Sequence, residues 1–85
     1  MTLAETMIQT ARQRKEAGLK LSKKELLLLE LSDYRPHMAW ELAQTVSHRF
    51  GAYVSDLRKD GLEIDTERRT SIAPSAFSYT LRRES

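Results

Sequence analysis

The sequence predicts an α+β fold: a three-helix core, a two-stranded β-hairpin after it, and an extra helix in front. Three observations carry this expectation. Apolar residues recur at helical spacing as far as Leu57, and after Gly61 the period switches to two. The chain has 85 residues, enough for one domain and not for two, with 40% hydrophobic and 31% charged residues. Residues 1–19 are expected to form an N-terminal helical extension and residues 20–85 the domain proper.

Leu3, Met7, Ile8 and Ala11 recur at helical spacing with Gly18 behind them, predicting a helix over residues 2–17. A helix of that length is not stable alone, so its narrow stripe must dock on the rest of the chain, a second copy or a partner. Ser22 with Glu25 three residues on reads as a capping box that opens a second helix. Leu26 to Leu29 and Leu31 give that helix a broad apolar face, and it should stop near Asp33 because Pro36 follows. The segment 34–37 reads as a turn or a very short edge strand. From Met38 a third helix buries Ala39, Leu42, Ala43 and Val46, and a fourth over residues 48–60 buries Phe50, Val54 and Leu57. Gly61 stands where a helix C-terminal glycine belongs. Leu62 and Ile64, then Phe77, Tyr79 and Leu81, alternate with polar residues and predict two strands, each with one buried face. A polar loop over residues 67–76 joins them.

Ala39-Trp40-Glu41-Leu42-Ala43, followed by His48-Arg49-Phe50-Gly51-Ala52-Tyr53-Val54-Ser55-Asp56-Leu57-Arg58-Lys59-Asp60-Gly61-Leu62-Glu63-Ile64, resembles the small winged helix-turn-helix proteins of bacteria and their phages. The terminal Phe77, Tyr79 and Leu81 resemble the second wing strand of the same proteins, so the resemblance spans residues 22–81. It implies a recognition helix that enters the major groove of DNA and a wing that meets the minor groove or the backbone. Leu42, Val46, Val54 and Leu57 are expected to form the seam between the two motif helices, with Ala43 small because they cross closely there. One position departs from the simple motif: Ser47 stands where glycine is common, which implies a longer turn.

Around the fourth helix, the face opposite Val54 and Leu57 presents His48, Ala52, Ser55 and Lys59, flanked by Arg49 and Asp56. Small residues at its centre suit close approach to a groove, with His48 and Arg49 first for base contact and Ser55 and Lys59 next. The plainer reading is a solvated face with Asp56 and Lys59 paired. The wing adds Arg68, Arg69 and Thr70, which suit a minor groove or its phosphates, or form ordinary surface charge balanced by Glu63, Asp65 and Glu67. Arg12, Arg14, Lys15, Lys20, Lys23 and Lys24 form the most basic stretch and could lie along the phosphate backbone or serve as plain polar surface. Trp40, Tyr53 and Tyr34 read as residues at the edge of the core.

The expected function is sequence-specific binding of double-stranded DNA by a small transcriptional regulator or phage accessory factor. The alternative is a winged-helix protein-interaction module, such as a phage-encoded inhibitor or adaptor of a host protein complex. Binding of structured RNA is a third reading. A homodimer through the N-terminal helix would extend the few base pairs one such domain covers. No enzyme is expected: His37 and His48 lack partners at metal spacing, there is no cysteine, and three glycines form no phosphate loop. No cofactor or metal is expected either. The longest apolar run is Leu26 to Leu29, and Glu5 interrupts the N-terminus, so the expected location is the cytoplasm, away from membranes. The net charge of +2 is too small to announce a nucleic-acid binder by itself.

Overall fold

A computed structural model of the chain describes residues 2–69, 71 and 76–83. The described residues form four helices and a three-stranded antiparallel sheet, in the order α1 (Leu3–Glu16), α2 (Lys23–Glu30) with a 3₁₀ turn (Leu31–Asp33), β1 (His37–Met38), α3 (Ala39–Thr45), α4 (Phe50–Lys59), β2 (Ile64–Arg68) and β3 (Phe77–Leu81). The strand order in the sheet is β1-β3-β2. The hairpin therefore gains a third, two-residue strand, with His37 opposite Tyr79 and Met38 opposite Ser78.

The helix ends follow from local chemistry. The Ser22 hydroxyl accepts from Glu25 N–H and the Glu25 carboxylate accepts from Ser22 N–H, closing the expected capping box. After α4, Gly61 N–H reaches Arg58 C=O and Leu62 N–H reaches Leu57 C=O, the pair of bonds that ends a helix on a left-handed residue. Gly61 has φ +107°, and a Cβ there would stand 3.0 Å from Leu3 Cδ2. This glycine thus serves both the chain reversal and the seating of α1.

One core joins every helix to the sheet. Ala4 and Ile8 of α1, Leu27, Leu28 and Leu31, Leu42 and Val46, Val54 and Leu57, and Leu62, Ile64 and Leu81 form a single buried cluster. The docking surface for α1 is the chain itself, through Ala4, Ile8 and Ala11, while Leu3 stays largely exposed. The four residues of the expected α3–α4 seam are all buried, but α4 packs most extensively on α2, and Ala43 is only half-buried. Its small size is thus not set by a tight helix crossing.

Three expectations about the hairpin change. β2 runs to Arg68, and Arg69 N–H bonds Ala76 C=O at 2.7 Å, so pairing continues into the segment expected as loop. Burial also fades outward along β3: Leu81 is buried, Tyr79 half-buried and Phe77 37% exposed. Ser78, expected to face solvent, is fully buried because β1 flanks it and Arg69 reaches across to its hydroxyl.

Candidate functional site

The α4 face opposite the core is the first part of the site. Val54 and Leu57 are buried and Phe50 and Tyr53 half-buried, leaving Gly51, Ala52, Ser55, Asp56 and Lys59 exposed. His48 and Arg49 are exposed too, yet they precede the helix rather than belonging to it. Ser47 causes this: its hydroxyl accepts from Arg49 N–H at 3.2 Å and its carbonyl from Phe50 N–H at 3.1 Å, so the chain turns before it coils. His48 and Arg49 thus project from the N-terminal lip of α4, and Ser55 and Lys59 lie further along it.

Among the described residues, the side chains of Arg49 and Lys59 engage no carboxylate, and no ion pair joins Asp56 to Lys59. Other cations are engaged internally. Arg14 pairs with Glu25 at 3.3 Å, Lys24 with Asp60 across α2 and α4, and Arg82 with Asp65 at 3.2 Å and Glu63 at 3.6 Å. The hydrogen bond to Asp60 outweighs the cost of desolvation and raises the Lys24 ammonium above the ordinary lysine value. Arg12 reaches Ser32 at 3.5 Å. The basic stretch is therefore partly neutralised within the fold, whereas the α4 face keeps its positive charge available.

The hairpin is the second part. Arg68 lies opposite Phe77 at the outer end of β2, and Arg69 follows it. Successive residues of a strand point to opposite faces, so the two arginines do not act as a pair. Arg69 folds back along the hairpin, donating to the Ser78 hydroxyl at 3.0 Å and pairing with Glu67 at 3.4 Å. Thr70 lies outside the described residues, as does most of the expected loop.

Arg58 ties the two parts together, a role that helical periodicity does not reveal. It stands on α4 beside the buried face, and its Nε and Nη2 both donate to Ile64 C=O, at 3.1 and 2.6 Å. Nη2 also donates to the Thr66 hydroxyl at 2.9 Å. At the other end of α4 the Phe50 ring meets Tyr79 edge-on, with centroids 5.4 Å apart. The sequence signal for Arg58 was its place on the boundary of the apolar stripe, next to Val54 on the wheel.

Trp40, expected at the core boundary, is 60% exposed. Leu42 and Val46 direct α3 to the core, and Trp40 lies on the far side of the helix from Leu42. His37 sits among acids: its Nε2 is 2.9 and 3.1 Å from the two Asp33 oxygens, and its Nδ1 is 3.8 Å from Glu41 Oε2. Burial alone would raise the Asp33 carboxyl, but hydrogen bonding from His37 and from Arg35 N–H outweighs it and holds the group below the ordinary aspartate value. No group of three or more His, Cys, Asp or Glu side chains converges as a metal site among the described residues. No helix among them is long and apolar enough to cross a membrane. Comparison with protein families, curated proteins and solved structures found no match to this chain.

Proposed function

We propose that the protein is a sequence-specific binder of double-stranded DNA, built as a winged helix-turn-helix domain with an added N-terminal helix, and acting as a small transcriptional regulator or phage accessory factor. In this reading α4 is the recognition helix, lying in the major groove, and the β2–β3 hairpin is the wing, meeting the minor groove or backbone. The observation that carries it is the outward face of α4: Arg49 and Lys59 without an acidic partner among the described residues, set around the small Gly51, Ala52 and Ser55. Such a face lets a helix backbone approach base edges closely while its long cations reach phosphates. The element order and the motif from Ala39 to Ile64 support the same reading. His48, Arg49 and Ser55 take base or near-base contacts, with Lys59 and Arg68 on the backbone, while Arg69 is held along the hairpin by Ser78 and Glu67.

Duplex binding measured across a salt series tests this. Binding should weaken as salt rises, with a slope near 0.9 per phosphate neutralised. Arg49→Ala with Lys59→Ala should lower that slope by about one to two. A folded protein that binds no duplex at low salt would end the proposal.

A second reading, a protein-interaction module docking on a host complex, draws on exposed Trp40 and on the exposed acids Asp56, Glu63, Asp65 and Glu67. It requires a single stoichiometric protein partner whose association survives nuclease treatment and is lost with Trp40→Ala.

A further inference from the structure

We infer that Arg58 is a positioning residue that fixes the angle between α4 and the hairpin, so that the two engage one duplex as a rigid unit. The inference rests on the DNA-binding reading above. Arg58 does not point from the outward face of α4; it turns to the strand, and its fork spans Ile64 C=O and the Thr66 hydroxyl with three hydrogen bonds. Thr66 is opposite Tyr79 in the ladder, and Tyr79 is the residue that Phe50 meets from the first turn of α4. Outside the core that Val54 and Leu57 share with Ile64 and Leu81, the helix is thus tied to the hairpin at two places: an aromatic contact at its start and a guanidinium clamp at its end. Edge-on aromatic contact leaves a ring free to tilt, whereas a planar fork bonded to a backbone carbonyl sets direction as well as distance. Beyond Thr66 the core face of the hairpin opens, since Phe77 opposite Arg68 is already 37% exposed, and the remaining contacts, from β1 and Arg69 to Ser78, lie on the other face. The orientation of Arg68 toward a duplex is therefore set at Arg58.

Lysine keeps the charge and the stem but not the fork, so Arg58→Lys separates geometry from electrostatics, and Arg58→Met removes both. The experiment measures duplex affinity and its salt slope for each variant, with and without Arg68→Ala, and with and without Arg49→Ala. In the wild type, Arg68→Ala should cost about threefold or more in affinity and lower the salt slope by about one. In the Arg58→Lys and Arg58→Met backgrounds it should cost less than about 1.5-fold and leave the slope unchanged, while Arg49→Ala keeps its full effect. Amide hydrogen exchange at Glu67 and Thr80, which lie in hydrogen-bonded pairs of the β2–β3 ladder, should stay protected in both variants. An undiminished Arg68→Ala effect overturns the inference. So does loss of hairpin protection, which would make Arg58 a stability residue, or wild-type behaviour of Arg58→Lys, which would reduce its role to charge. Failure of the wild type itself to bind duplex defeats the DNA-binding reading instead, and so is told apart from failure of the clamp.

Discussion

At Gly51 the sequence carries a cost that its own fold does not repay. A glycine inside a helix is worse than alanine by about 0.5–1 kcal/mol because of the backbone freedom it loses. Elsewhere such a residue is explained by a left-handed turn or a close neighbour, as at Gly61, where φ is +107° and Leu3 lies against the missing Cβ. Gly51 has neither: among the described residues, nothing beyond its own helix backbone and chain neighbours stands within 4 Å of where a Cβ would be. Its exposed neighbours Ala52 and Ser55 are small as well, which on the DNA-binding proposal suits close approach of α4 to a duplex. Gly51 is in the first turn of α4, where the penalty is smaller than in the interior, so Gly51→Ala should stabilise the protein by up to about 0.5 kcal/mol in chemical denaturation while weakening duplex binding several-fold. A variant that gains stability and binds duplex as tightly as the wild type would take the close approach away from Gly51.

Among the elements, the link between the 3₁₀ turn and β1 is the one most open to pH. Asp33 in the turn accepts from His37 in β1 and from Arg35 N–H, and its carboxyl is held below the ordinary aspartate value of 3.8. A depressed acid adds stability that is present above its unfolded pKa and is lost as pH falls through the folded one. Asp33→Asn should thus be less stable than the wild type near neutral pH, with the gap closing below about pH 4. A gap that persists in acid would assign the effect to packing. These elements also mark where sequence reading succeeds. The helices and strands were legible because their periods are regular, as in Val54–Leu57 and Tyr79–Leu81, and because Ser22–Glu25 and Gly61 punctuate them. What was not legible depends on which element meets which. Periodicity gives Ser78 a face but does not reveal that β1 and Arg69 cover it. It places Arg58 on a boundary without naming the carbonyl it clamps, and it pairs Arg68 with Arg69 although the strand sends them apart. For the candidate site, the outward residues of α4 were legible, and the turn that lifts His48 and Arg49 off the helix was not.

Across the whole molecule, a net charge of +2 gives little general attraction for nucleic acid, so the placement of charge must decide binding. The fold spends many of its cations on itself: Arg14, Lys24, Arg58, Arg69 and Arg82 are engaged by acids, carbonyls or hydroxyls. Arg49 and Lys59 are engaged by no acid among the described residues, nor are Lys15 and Lys20 at the far end of α1 and in the loop after it. These two pairs permit a comparison at constant net charge. Reversing either pair to glutamate takes the formal charge from +2 to −2, a change of four units from two substitutions. Were binding a matter of bulk field, the two double variants would lose affinity equally. If the α4 face makes the contacts, Arg49→Glu with Lys59→Glu should lose at least about tenfold more than Lys15→Glu with Lys20→Glu at 0.15 M salt, where the Debye length is about 8 Å and distant exposed charges are screened. Both losses should shrink as salt rises, the α4 pair's along the change in salt slope that its phosphate contacts set and the distant pair's toward none by screening. Equal losses would reduce the effect to bulk field, and a larger loss for Lys15→Glu with Lys20→Glu would move the phosphate contacts to the basic stretch of α1 and its loop, and with them the orientation of the whole domain on the duplex.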